Sequence, residues 1–228
     1  MTTARTIVNV AEYHLVHRFI YLGMPWAIVG FSFLVNLVVS TQVEGVRTGG
    51  LGAIFVYVLI CGLYSTTTSL PFALALGLSR RTYYLGTASL WAVIAAADGI
   101  AITGLQAIER ATGGWGGRLY FFRVGYILDG PWYITWLTSF VSIAMLFAYG
   151  MWFGIVFRRW GTLGSLAFGA TKITVAVAAV LAVTWTHAWA GVGDFLTSAD
   201  ALGLTAILAV VAVALLAGGF TTIRRATV

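Results

Sequence analysis

The stretch FVSIAMLFAYGMWFGIVFRRWGTLGSLAFGATKITVAVAAV, Phe140–Val180, is apolar on both sides of one arginine pair, Arg158-Arg159, and holds one further charge, Lys172. A helix needs about 20 apolar residues to cross the hydrocarbon core of a bilayer. The stretch is about twice that length, so it predicts two crossings joined by a short basic turn, FRRWGTLG, Phe157–Gly164. The rest of the chain repeats the pattern. Apolar runs bounded by charges or Gly/Pro clusters cover Phe19 to Ser40, Leu51 to Leu70, Tyr83 to Ile108, Trp132 to Phe157, Thr162 to Trp189 and Ala201 to Ile223. These runs are long, continuous and rich in Ala, Leu and Val, unlike the short alternating segments of a membrane β-barrel. The prediction is an all-α integral membrane protein with six transmembrane helices. Composition agrees: 60% of the 228 residues are hydrophobic and 9% are charged, against about a quarter charged in soluble chains.

Charge placement orients the bundle. Arg80-Arg81, Arg158-Arg159 and Arg224-Arg225 follow the second, fourth and sixth runs and, with Arg5 and Arg18, put eight arginines on one face. The opposite loops hold Arg47, Arg110, Arg118 and Arg123 among five acids. The positive-inside rule makes the arginine-rich face cytoplasmic, with both termini there. The net charge of +6 is read as this orientation signal, so nucleic acid is not an expected partner. A multi-pass protein of a cell membrane, of the bacterial plasma membrane type, is expected. The first apolar run is too long for a cleavable leader and is expected to remain as a span. Residues 1–18 place Val8, Ala11 and Leu15 on one helical face, the pattern of an amphipathic helix lying in the bilayer interface. The rest of the chain, 19–228, forms one domain. Cys61 is the only cysteine, so no intrachain disulfide can form.

Several chemistries are excluded by missing motifs. There is no P-loop, and the only lysine, Lys172, follows GAT, so ATP is not expected to bind here through a phosphate-cradling loop. The pair in HLVH, His14 and His17, lacks the glutamate and spacing of H-E-x-x-H, and no metal site is expected. No G-x-S-x-G occurs and the spans hold a single acid, which leaves no pair of carboxylates for acid/base catalysis. The chain is not read as an enzyme and needs no cofactor of its own.

Two charges fall inside spans. Asp98 and Lys172 each cost about 2.5 to 3.5 kcal/mol to insert, so each requires a partner or a wet cavity. At ~1.5 Å per residue they lie about 22 and 15 Å from the cytoplasmic ends of their helices, close enough in depth to form a polar pair or to line a path. The alternative is separate satisfaction, with Lys172 snorkelling inward and Asp98 bonded near Thr103 or the backbone. The hydroxyl run YSTTTS, Tyr64–Ser69, is expected to return hydrogen bonds to the preceding turn or bridge to a neighbour. In the longest outer connection, Glu109–Pro131, Trp115, Tyr120, Phe121, Phe122 and Tyr126, with Trp132 and Tyr133 following, suit an aromatic belt at headgroup level.

The segment SLPFALALGLSRRTYYLGTASL, Ser69–Leu90, lies between the second and third runs. Pro71 is expected to end or kink the second span, and a short helix over about 71–82 is expected before Tyr83 and Tyr84 re-enter the bilayer. This segment, ALGLSRRTYYLGT in particular, resembles the coupling-helix region of the membrane-spanning subunits of type-2 ABC exporters, which have six spans and a separate ATPase chain. The resemblance implies that Phe72, Leu76, Gly77, Leu78, Ser79, Arg80 and Arg81 contact the ATPase, with Leu76 and Leu78 entering an apolar groove. It implies a second membrane subunit, identical or related, ATP and Mg held by the partner ATPase, and alternating access that exports an amphipathic or hydrophobic substrate. From the residues alone, Arg80 and Arg81 could equally serve only to orient the chain against lipid phosphate. The connection Ala190–Asp200 is short, whereas many members of that family place re-entrant helices there. An ion-coupled carrier using Asp98, and a non-transporting scaffold or immunity-type protein, are the alternatives the sequence leaves open.

Overall fold

The computed structural model describes residues 19–42, 49–116, 118–124, 128, 130–198 and 200–225. The interfacial helix expected over 1–18 lies outside them. Among the described residues there are helices and no strands. Helix α1 is Phe19–Ser40, α2 is Gly52–Ala75, α3 is Arg80–Ala111, α4 is Trp132–Trp185, α5 is Trp189–Ser198 and α6 is Ala201–Arg225. All except α5 are long and apolar enough to cross a membrane, as in a multi-pass membrane protein.

Helix α4 is 54 residues long on paper, but Gly161 interrupts it with φ 65° and ψ −158°, a conformation open to glycine and strained for other residues. Phe168 packs on Trp152 at 5.1 Å between ring centroids, and Lys172 bonds Tyr149. Residues at similar distances on either side of Gly161 therefore meet, and the two arms run antiparallel. Each arm exceeds the ~20 residues that a crossing needs. The turn foreseen in FRRWGTLG is thus one glycine inside an otherwise unbroken helical run.

Close packing joins the first arm of α4 to α2. Gly150 and Gly154 form a G-x-x-x-G face. A Cβ on Gly150 would collide with the Leu59 carbonyl oxygen, one on Gly154 with Thr66 Oγ1, and one on Gly62 with the Phe147 carbonyl oxygen. In lipid, where apolar burial supplies no drive between helices, such backbone approach maximises dispersion contact and is a main source of association. On the same arm, Trp91 of α3 stacks on Phe147 at 4.1 Å. Helix α6 runs parallel to that arm, held by Thr138–Thr205 at 2.6 Å and by Trp152 Nε1 donating to Thr222 Oγ1 at 3.1 Å. The first arm of α4 is therefore the central strut, with α2, α3 and α6 around it. Beyond Lys172 the second arm leaves this bundle, and Ile173, Val177, Val180 and Trp185 are exposed.

The connection between α3 and α4 differs from the expected belt. Trp115, Phe121 and Phe122 turn inward onto Phe33 of α1, with centroids 4.9, 5.4 and 6.1 Å away, and Phe121 is fully buried. Among the described residues of the expected belt only Trp132 and Tyr133 remain largely exposed, at the start of α4; Tyr126 lies outside the described residues. The apolar rings cap the end of the bundle because α1 presents a ring for them to pack against. Between the second arm of α4 and α6, the short connection Ala190–Asp200 carries α5.

Candidate functional site

The corner between α2 and α3 is built by local rules. Ser65–Ser69 is a π-helical turn, and the helix continues through Pro71 to Ala75. Proline lacks an N–H and would clash with the carbonyl four residues back in a regular α-helix. The widened turn accommodates it, leaving carbonyls for side chains to cover. Arg158 donates to the Thr67 carbonyl at 3.1 Å, and the Tyr83 hydroxyl donates to that of Ser65 at 2.6 Å. The hydroxyls behave as expected: Ser65 and Thr67 donate back to Gly62 and Leu63, and Thr66 reaches the Met151 carbonyl on α4.

Helix α2 then ends in a left-handed cap. Gly77 has φ 84°, its N–H donates to Leu74, and that of Leu78 donates to Ala73, the two bonds of a Schellman motif. Ser79 is extended and accepts from the Thr82 N–H at 3.1 Å, starting α3. The expected separate helix over 71–82 is therefore absent. Residues through Ala75 belong to α2, Arg80 and Arg81 are the first residues of α3, and Leu76 to Ser79 make the turn. Phe72 and Leu76 are 54% and 64% exposed, while Leu78 packs against the core. Leu78 is thus withdrawn from the surface expected to enter a partner's groove. Arg81 is exposed.

The three arginine pairs gather at this end of the bundle. Arg158 bonds Thr67 beside Pro71, and Tyr84 of α3 donates to the Leu216 carbonyl at 2.8 Å, two turns before Arg224. Arginine at a helix N-terminus opposes the helix dipole, so α3 starts with two arginines despite local electrostatics.

Asp98 and Lys172 do not meet. Asp98, 7% exposed, accepts from Trp26 Nε1 of α1 at 2.8 Å. Lys172 Nζ donates to the Tyr149 hydroxyl at 2.6 Å and lies 3.8 and 3.6 Å from the Tyr149 and Phe168 ring centroids. Each charge has its own aromatic partner because α1 stands beside α3, whereas Lys172 faces back across the Gly161 hairpin. The pair expected from depth alone needed adjacency of α3 to the second arm, which the hairpin denies.

One buried polar centre escaped the sequence reading. Glu109, at the end of α3, is fully buried; its Oε2 accepts from Trp115 Nε1 and the N–H groups of Phe121 and Phe122 at 2.9–3.0 Å, and Oε1 accepts from Arg123 N–H at 3.1 Å. It ties down the inward-turned loop. The only advance signal was an acid two residues before a glycine-rich segment, ATGGWGG. The backbone takes positive φ at Gly113, Gly114, Trp115 and Gly116 of this segment and at Arg118 just after it. Among the described residues no group of histidine, cysteine and acid side chains is arranged to hold a metal.

No family model, curated protein or solved structure matches this chain significantly.

Proposed function

We propose that this chain is a six-span permease subunit of the type-2 ABC exporter class, lying in a cell membrane with both termini on the cytoplasmic side. A separate ATPase chain would hold ATP and Mg, and a second membrane subunit, identical or related, would complete the path. The observation carrying this reading is the α2–α3 corner. It presents exposed Phe72 and Leu76 beside Arg81 at the end where the arginine pairs gather. An apolar knob rimmed by cations fits a shallow groove on an acidic partner surface.

The corner is also stiff. The Schellman cap, the Ser79 cap and the Tyr83–Ser65 bond link the end of α2 to the start of α3. A push on Phe72 and Leu76 would therefore move both helices together, and through Thr66 and Arg158 it would reach the central strut. Alternating access follows if the ATP-bound partner favours one packing of these helices over another. The contact set becomes Phe72, Leu76, Arg80 and Arg81, with Gly77, Leu78 and Ser79 shaping the turn. Against an ion-coupled carrier, Asp98 is the only acid in the apolar interior of the spans and is held by Trp26.

The test is affinity purification of the tagged chain from native membranes in mild detergent, followed by mass spectrometry. Recovery of a P-loop ATPase in near-equal amount is expected, with at least tenfold loss for Arg80→Glu/Arg81→Glu in correctly inserted protein. Recovery of the chain without an ATPase would refute the reading in favour of a scaffold or immunity-type protein.

A further inference from the structure

Beyond Lys172 the second arm of α4 rests no face on the protein. Residues 173–182 are all exposed, and a helical run of that length makes about three turns, so its whole circumference is bare. The start of the arm is fixed instead. Phe168 packs on Trp152 and Phe153 of the central strut with ring centroids 5.1 and 6.2 Å apart, and Lys172 Nζ donates to the Tyr149 hydroxyl at 2.6 Å. Among the described residues this is the only hydrogen bond from the arm to the bundle; the hydroxyls of Ser165, Thr171 and Thr184 return to carbonyls of their own helix. The ammonium lies 3.8 and 3.6 Å from the Tyr149 and Phe168 ring centroids, so ring faces stand in for a counter-ion.

Both ends of the arm have room to turn. Gly161 takes φ 65° and ψ −158°, and a Cβ there would meet nothing within 4 Å. The pivot is thus one residue with no packing around it, the kind of position that absorbs a change in φ and ψ. At the far end, residues 186–200 link the arm to α6, which is anchored to the strut through Thr138–Thr205. Helix α5 within that link exposes Trp189 and Phe195, so it can follow the arm. Between arm and strut lies an apolar groove of about 600 Å³, lined also by Val211 and Leu215 of α6. Acyl chains, as apolar as leucine, fill such a groove at any width, so its contents do not oppose movement.

We infer that the second arm of α4 is a swinging arm, hinged at Gly161 and latched to the central strut by Lys172 on Tyr149. The lever is long. A turn of about 10° at Gly161 carries Lys172, 11 residues on, by about 3 Å and Val180, 19 residues on, by about 5 Å. The first displacement breaks a 2.6 Å bond; the second widens the mouth of the groove and gates lateral access from the bilayer to the strut. Phe168 travels with the arm, so release costs Lys172 its Tyr149 contacts and leaves the ammonium with one ring in hydrocarbon, which penalises charge. The charge therefore gives the arm a defined docked state, and without it only Phe168 on the strut rings holds the arm. The device does not require the transport reading.

The test is pulsed electron spin resonance on the purified full chain in phosphatidylcholine nanodiscs, with no ATPase present. Cys61 is replaced by alanine, and spin labels are placed at Val180→Cys on the arm and Ile207→Cys on α6, both about half exposed. One narrow distance is expected for the latched arm. Lys172→Met should add a population displaced by about 5 Å or more. Tyr149→Leu should do the same and covers the case in which Lys172→Met does not fold, while Lys172→Arg, which keeps a cation over the ring, should restore the single distance. A reference pair, Ile100→Cys on α3 with Ile207→Cys, spans helices tied by Tyr84 and Leu216 and should stay constant, which separates arm movement from misfolding. Unchanged distances in both Lys172→Met and Tyr149→Leu would overturn the inference, as would a broad distribution with Lys172 in place, or the same broadening in Lys172→Arg as in Lys172→Met. Because the readout needs no partner chain, a failed ATPase pull-down leaves it intact.

Discussion

Replacing Glu109 with alanine removes the acceptor for four N–H groups at once: the buried backbone amides of Phe121 and Phe122 and the partly buried Trp115 Nε1 and Arg123 amide. A buried donor left without a partner costs about 1–3 kcal/mol. Taking the low end for each, because an opened loop admits water, the capping loop loses about 4 kcal/mol. That is roughly a thousandfold in its opening equilibrium at about 1.4 kcal/mol per tenfold. The strained left-handed residues Trp115 and Arg118 add to the tendency to open once the anchor is gone. Amide hydrogen exchange at Phe121, Phe122 and Arg123 in nanodiscs reads the change directly, with Ile143 in the central strut as an internal reference. Glu109→Gln keeps one carbonyl oxygen for the three Oε2 donors but turns an NH2 toward the Arg123 N–H, so a loss of about 1–2 kcal/mol is expected. The order wild type, Gln, Ala is the signature. If Glu109→Ala changed exchange at these amides less than threefold, the carboxylate would not be what anchors the loop.

Three further outcomes follow from the same geometry. Gly150→Ala should destabilise the bundle by about 1–3 kcal/mol through collision with Leu59, seen as earlier loss of the monodisperse peak on heating in detergent; Gly104→Ala, with open space around it, should not. Arg158→Met should uncover the Thr67 carbonyl that Pro71 leaves unpaired; Pro71→Ala, which restores an N–H four residues on, should offset it, giving a thermal-stability coupling of about 0.5–3 kcal/mol in a double-mutant cycle. Asp98→Leu should cost about 1–3 kcal/mol by stranding the Trp26 N–H. Combined with Lys172→Met, that loss should be additive within about 0.5 kcal/mol, and strong coupling would contradict the separate partners described above.

What the chain alone determined was set by terms that act along it. Apolar length against bilayer thickness gives long helices whatever their neighbours, and arginine pairs after alternate runs require those runs to end at one level, as Arg158 and Arg224 do. Hydroxyls four residues from a carbonyl back-bond within their own helix, so the behaviour of YSTTTS was legible too. Tertiary structure decided everything that depended on which helix stands beside which. Asp98 and Lys172 share a depth, but adjacency gave Trp26 to one and Tyr149 to the other. Pro71 was legible as a residue that ends or kinks the second span; the π turn and Arg158 carry the helix on to Ala75, which removed the expected separate coupling helix and left a capped corner. Glu109 read as a loop acid because its four donors lie 6 to 14 residues downstream, on a loop whose path is fixed only when Phe33 offers its ring.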